Sequence, residues 1–321
     1  MDKELKIKIL DLMITARCME ERMVKMAKSA DGFFWLGGLG EEAFNIPLGL
    51  LARPGNSLDH DFFHFHYRNG GTMIAMGMDP LDQIRQMNNR ATDPFSGGRN
   101  FCNHYAKKEW NVVPVSSTIQ TQCSVAPGTA RAQKRHGGKG LTVVTFGDAG
   151  TAEGDFHVCL NWATLPGWEL PLLMICTNNG YGISTEYNKV HGQEHLAQIA
   201  AGYGIKTRVI NGNSVEESYE AIATAMAYVR EERKPYFLEA HVSRLHGHSS
   251  SSGANRVPDD TEEDPLYLWR DRLIADGIID LDYYEQRNKQ EFDYMLQGLA
   301  KIKKDEPEPE RSSIYKHIFA E

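Results

Sequence analysis

A chain of 321 residues, 41% hydrophobic and 24% charged, holds enough material for one large domain or two modest ones of an ordinary soluble enzyme. Its formal net charge of −8, from 43 acidic and 35 basic residues, offers no broad positive field for nucleic acid or an anionic membrane. The five cysteines form no CxxC pair, and scattered thiols in a chain of this size suit a reducing compartment better than a disulfide scaffold.

The opening MDKELKIKIL carries acidic residues and no long apolar core, unlike a signal peptide. The longest apolar run, Leu170 to Cys176, falls far short of a membrane span; the expectation is a soluble, cytoplasmic protein. Residues 3–28 place Ile7, Leu10, Ile14, Met19 and Met23 at helical spacing. A glycine-rich turn leads to a second helix from Glu41 to Leu51, closed by Arg53-Pro54-Gly55. A short extended piece follows, with the aromatic and histidine cluster Phe62 to Arg68. The run from Leu141 to Phe146 is β-branched and unalternating, as a strand buried on both faces should be. It ends in Gly147-Asp148-Ala149-Gly150, with a helix expected through about Leu165. Leu170 to Cys176 reads as a second such strand, ending in Asn178-Asn179-Gly180. Lys206–Ile210 and Tyr236–Val242 read as two more, separated by a helix from about Val215 to Glu232. Strands alternating with helices predict an α/β fold with a parallel sheet covered on both faces. Two segments, 92–111 and 246–260, read as long functional loops. A charged helical tail is expected from about residue 261, with 301–311 solvated. The basic stretch Arg131, Lys134, Arg135, His136 and Lys139 reads as the solvated end of a helix rather than a phosphate patch.

In an open parallel sheet, ligands bind beyond the carboxyl ends of the strands. Gly147-Asp148 and Asn178-Asn179 fall at two such ends, joined by one helix. A carboxylate, a side-chain amide and a nearby backbone carbonyl make an oxygen-only set suited to Mg²⁺ or Ca²⁺. The N–H groups around Asp148 and Gly150 suit phosphate oxygens. Singly, each piece is ordinary turn chemistry; paired across one strand–helix–strand unit, they point to a site.

GDAG followed by NN resembles the thiamine-diphosphate motif GDG…NN. Around it stand GEEA at Gly40–Ala43, HYR at His66–Arg68, GGRNFCNHY at Gly97–Tyr105 and SSTIQTQ at Ser116–Gln122. TFGDAGTAEGD at Thr145–Asp155, CTNNGYGIST at Cys176–Thr185 and HGHS at His246–Ser249 complete the series. In this order they are similar to the alpha subunits of pyruvate, branched-chain 2-oxo-acid and acetoin dehydrogenases, from about Leu10 to Arg270. The resemblance implies a single domain over residues 1–321 with the three-layer thiamine-diphosphate-binding fold. It implies Mg²⁺ held by Asp148, Asn179 and the carbonyl of Tyr181, with Gly147, Ala149 and Gly150 in the cofactor turn. Tyr67 and Arg68 match the grip on the diphosphate, and Ser117 and Ile119 the stretch touching the aminopyrimidine. Ser116, Thr118, Thr121 and Gln122 match a loop that holds K⁺ in branched-chain members; the same residues also read as a helix N-cap pattern. His248 matches the histidine near the diphosphate and reacting centre, and His104 a second family position in the 92–111 loop; the resemblance makes both catalytic candidates. Ser249 matches a serine phosphorylated in some mitochondrial relatives, although a serine run is also simply flexible.

The implied reaction is oxidative decarboxylation of a 2-oxo acid, branched-chain or pyruvate, with acyl transfer to the lipoyl group of a dihydrolipoyl acyltransferase. The glutamate that activates the cofactor resembles a contribution from a separate beta subunit, so an α₂β₂ heterotetramer is expected and the chain alone should be inactive. An acetoin dehydrogenase alpha subunit and a non-catalytic partner-binding homologue are the alternatives. Departures from the pattern are Ala149 at the third glycine, an insertion around Pro166–Glu169, Thr177 where some relatives carry an arginine, and Ser252-Gly253 in place of an aspartate.

Overall fold

The computed structural model describes residues 1–29, 31–251 and 262–316. In chain order, its first elements are α1 (Lys3–Lys28), α2 (Glu42–Leu51), β1 (Phe62–His64), α3 (Gly70–Ala75), α4 (Pro80–Met87) and α5 (Thr121–Arg135). Next come β2 (Thr142–Gly147), α6 (Gly154–Ala163), β3 (Leu172–Asn178) and the short hairpin strands β4 (Tyr181–Gly182) and β5 (Thr185–Glu186). The chain continues through α7 (Ala197–Gly202), β6 (Lys206–Asn211), α8 (Val215–Glu232), β7 (Tyr236–His241), α9 (Pro265–Ala275) and α10 (Leu281–Asp305).

The main sheet runs β1-β2-β3-β7-β6, every pair parallel. Its strands do not alternate in sequence because both faces are buried. Val143, Leu173, Ile175 and Leu238 enter one core. Their neighbours Val144, Leu172, Met174 and Phe237 enter the other. The first core takes α1, α2, α4 and α8, and the second α5, α6 and α7. On α6 the buried residues Phe156, Cys159, Leu160 and Ala163 fall at helical spacing, so one stripe covers the sheet.

Helix starts are set locally. Asp2, Asp79, Ser214, Asp264 and Asp280 each accept a backbone N–H of the first turn, which satisfies otherwise orphaned donors. The α/β reading stands, but the tail is not a simple solvated helix. In α10, Tyr283 donates to Asp11 of α1 at 3.0 Å, and Ile302 is buried. Arg85 of α4 pairs with Glu306 at 3.0 Å. The basic stretch closes α5 with Arg135, His136 and Lys139 exposed, as a solvated helix end should be, while Arg131 stacks on Trp168 at 3.3 Å and Lys134 donates to the Glu169 carbonyl at 2.8 Å. The cysteines are buried and free. Among the described residues no helix is long and apolar enough to cross a membrane. Most of the 246–260 loop, including Ser252 and Gly253, lies outside the described residues.

Candidate cofactor site

Parallel strands bring their carboxyl ends to one edge of the sheet, and four of them supply the site. Tyr67 and Arg68 follow β1, Asp148 follows β2, Asn179 follows β3, and Arg244 and His248 follow β7. Tyr67, Arg68, Asp148 and His248 border a cavity of about 270 Å³, together with Gly150 and Tyr181 among others; Asn179 and Arg244 line the small recess next to it, which shares Arg68 and His248. The turn after β1 is locked by a buried polar chain. The His66 N–H donates to Thr145 Oγ1 at 2.7 Å, Thr145 donates to Asn69 Oδ1 at 2.6 Å, and Asn69 Nδ2 donates to Asn45 Oδ1 at 2.9 Å.

Asp148 is 1% exposed, yet neither carboxylate oxygen has a hydrogen-bond partner. The N–H groups of Asp148, Ala149 and Asn179 face it without reaching normal hydrogen-bond geometry. Burial pushes its carboxyl up to about 6, against the opposing pull of Arg68. Asn179 uses Oδ1 to accept the Tyr181 N–H at 3.2 Å, leaving a second lone pair there, and its buried Nδ2 has no partner. A buried carboxylate with no donor is costly unless a cation sits against it. The neighbouring oxygens make that cation a hard one. The residues present therefore fit a divalent ion carrying phosphate oxygens.

Arg68, also buried, is held three ways. Its Nη2 lies 3.3 Å from His248 Nδ1, its Nε lies 3.7 Å from Glu41 Oε1, and its guanidinium sits 5.3 Å from the Tyr67 ring centre. Arg68 donates only, so Nδ1 of His248 is the acceptor and the ring proton belongs on Nε2. Burial first, then Arg68 and Arg244, pull His248 down to about 4; the imidazole is neutral at physiological pH.

The glycine pattern shows how the altered motif is accommodated. A Cβ on Gly182 would lie 2.4 Å from the Ala149 methyl. The space that Ala149 takes is thus vacated by Gly182 in the hairpin opposite. A Cβ on Gly150 would lie 2.6 Å from Gln120 Nε2, which keeps that turn bare. Gly147 faces Arg68 Nη1, 3.1 Å from where a Cβ would stand.

The segment 116–122 sits at the cavity rim. Ser117 and Thr118 are exposed, and Ile119 is 46% exposed although it lines the cavity. His104 is buried beside this segment rather than in the cavity lining. Its Nδ1 donates to the Cys102 carbonyl at 2.9 Å and its Nε2 accepts from Ser117 Oγ at 2.5 Å. Ser116 Oγ accepts the Thr118 N–H at 3.1 Å, and Thr121 donates to the Thr118 carbonyl at 2.9 Å. Gln122 donates to the Thr145 carbonyl at 3.1 Å and leaves Oε1 buried without a partner. The cap of α5 is Gln120, at φ 62 with no side-chain cap bond, so the N-cap reading of the Ser-Thr run does not apply. Ser249 is buried and its backbone bridges to Leu36.

Sequence reasoning gave no role to two residues that shape this site. Glu41, within GEEA, is buried and its carboxyl is pushed up to about 7 by burial, with Arg68 opposing. It pairs with Thr177, the residue at the altered arginine position. Adjacent glutamates opening an apolar helix were the available signal. Arg244 donates to the Ile183 carbonyl at 2.6 Å and lies 5.5 Å from the Tyr181 ring centre. No local pattern marks it.

The family model for the dehydrogenase E1 component matches residues 10–311. The chain belongs to this family, that of the thiamine-diphosphate-dependent 2-oxo-acid dehydrogenase alpha subunits whose motifs it carries. Among curated proteins it is 31% identical over 273 residues to the 2-oxoisovalerate dehydrogenase subunit alpha of Bacillus subtilis, covering 83% of this chain and 81% of that one. It is 27% identical to the human mitochondrial 2-oxoisovalerate dehydrogenase subunit alpha over 326 residues, covering 99% of this chain and 71% of that one. It is 31% identical over 254 residues to the mitochondrial subunit alpha 2 of Arabidopsis thaliana, of which the match spans 52%.

Proposed function

We propose that this chain is the cofactor-binding alpha half of a dehydrogenase that oxidatively decarboxylates a branched-chain 2-oxo acid. The observation that carries the proposal is Asp148, a buried carboxylate without a donor at the edge where four strands end. Mg²⁺ is the cation for it, held by Asp148, Asn179 Oδ1 and the Tyr181 carbonyl. Arg68 and Tyr67 hold the diphosphate with a buried charge and a phenol donor, helped by the backbone N–H groups of Ala149 and Gly150. Thiamine diphosphate, when bound, supplies an acidic ring carbon and an electron sink for decarboxylation. His248, neutral with its proton on Nε2, offers a hydrogen bond to charge developing on the substrate. His104 acts through Ser117, steadying the rim segment 116–122 whose Ile119 meets the aminopyrimidine. Ser116, Thr118, Thr121 and the unpartnered Gln122 Oε1 form the K⁺ loop.

At that rim Ser117, Thr118 and Ile119 are exposed, which supports completion of the site by a beta subunit in an α₂β₂ assembly. A dihydrolipoyl acyltransferase would take the acyl group onto its lipoyl arm. The preference for a branched-chain acid rests on the relatives, each bearing the name 2-oxoisovalerate dehydrogenase.

The test is co-expression with the candidate beta subunit and assay of 2-oxoisovalerate, pyruvate and acetoin, with and without thiamine diphosphate and Mg²⁺. Turnover of 2-oxoisovalerate that needs both cofactors and is abolished by Asp148→Ala supports the reading. Absence of turnover on every substrate, together with no cofactor binding by calorimetry in the assembled complex, overturns it and leaves a partner-binding homologue. Preference for acetoin or pyruvate overturns the substrate assignment alone.

A further inference from the structure

A separate, more open cleft of about 390 Å³ is bordered by Asn178, Asn179, Glu194, Asn213 and His241. Beside it lies a cluster that the cofactor site does not use. Glu239 and His241 stand two residues apart on β7, so their side chains leave the same face. His195 comes to them from the segment entering α7. His241 Nε2 lies 3.3 Å from His195 Nδ1 and 3.6 Å from Glu239 Oε1. All three potential ligand atoms lie within 4.8 Å of one another. Around a tetrahedral ion with bonds of about 2.0–2.1 Å, neighbouring ligand atoms stand about 3.3–3.4 Å apart. Two of the three separations are already close to that value.

The surroundings suit a metal. Glu239 is fully buried, and the salt-bridge-range partner it has among the described residues is His241, not a lysine or arginine. Its oxygens are oriented by Asn178 Nδ2 and by the Ala197 N–H, each at 2.9 Å. Ligating carboxylates are held by outer partners of this kind. Both histidines are partly exposed, so an ion can enter from solvent.

We infer that His195, His241 and Glu239 form a binding site for a borderline divalent transition ion of the Zn²⁺ class. Two imidazoles and one carboxylate select such ions over Mg²⁺, which prefers oxygen alone. The site is therefore chemically distinct from the Asp148 site. It is also mechanically joined to it. Asn178, which orients Glu239, accepts the Gly180 N–H at 3.0 Å, and an ion held there braces the turn that carries Asn179.

The experiment uses the full chain, stripped with a chelator, resaturated with MgCl₂, and titrated with ZnCl₂ by calorimetry and with CoCl₂ by visible absorption. One ion per chain should bind despite excess Mg²⁺, with a cobalt spectrum of low-coordinate, imidazole-bound character. His241→Gln and His195→Gln should each weaken binding by at least about tenfold, the lower edge of what losing even an outer partner costs. Both positions are partly exposed, so neither variant opens the core as Glu239→Gln would. Asp148→Ala should bind the ion as the wild type does. No binding in the presence of Mg²⁺, unchanged binding by both histidine variants, or loss of binding in Asp148→Ala would each overturn the inference.

Discussion

Replacing Asp148 by asparagine should stabilise the cofactor-free chain while removing its response to divalent cation. The carboxyl titrates near 6 instead of 3.8, chiefly through burial. Because the folded value is raised, the fold is favoured below the unfolded value and loses that advantage as pH rises through about 6. Between pH 3.8 and 6, at about 1.4 kcal/mol per pH unit, the charged form costs the fold about 3 kcal/mol. The group is only 1% exposed, so solvent screening removes little of this. Asparagine keeps the shape without the charge. It also relieves Glu41, whose carboxyl Asp148 helps to raise. Against this stands the cost of a buried amide lacking partners, about 1–3 kcal/mol, so the net gain at pH 8 should be smaller than 3 kcal/mol. The assay is urea unfolding in a chelator from pH 5 to 8, repeated with Mg²⁺ and thiamine diphosphate. The variant should gain on the wild type from pH 5 to a little above 6 and then hold that gain to pH 8. Ligand should raise the wild-type midpoint and leave that of Asp148→Asn unmoved. If the variant is the less stable at pH 8 without ligand, Asp148 has donors that satisfy its charge and the argument for a cation fails.

Gly182→Ala should destabilise by about 1–3 kcal/mol, the cost of overpacking, because its methyl would meet that of Ala149 at 2.4 Å; adding Ala149→Gly should restore the thermal midpoint. Arg230→Ala should cost about 3–5 kcal/mol in urea unfolding. It strips both 2.6 Å hydrogen bonds from Asp61, which is fully buried beside β1. With His248 drawn down to about 4, its protonation should leave no limb between pH 6 and 8 in cofactor-binding affinity, and His248→Gln should preserve the shape of that profile. A limb near neutrality that vanishes in the variant would contradict the neutral imidazole.

Much of the site was legible because its pieces are short and its placement rule is general. The runs from Leu141 and Leu170 are β-branched or apolar and do not alternate with charged residues, as suits a strand covered on both faces. The residues just after such strands then fall at the ligand-binding edge, as Asp148 and Asn179 do. The helix from Val215 to Glu232 was legible for the same reason, since its apolar spacing is local and its cap Ser214 acts within one turn; the division of the tail into α9 and α10 was not read.

What the chain alone left open depends on contacts between residues far apart in it. The strand order β1-β2-β3-β7-β6 sets β7 beside β3, and only then does Arg244 come to stand over Tyr181 and His241 beside Asn178. The carboxylate that holds Arg68 comes from Glu41, at the start of α2. That pairing depends on how α2 packs, which no periodicity records. The stretch 301–311 looked solvated by composition, yet Ile302 is buried and Glu306 pairs with Arg85 of α4. Local spacing thus marked candidate residues for the site, through the period of a buried strand and the turn that follows it. Packing of helices on two faces of one sheet decided which of them are charged, which are neutral, and which share a cavity, because burial and Coulombic neighbours exist only once distant segments meet.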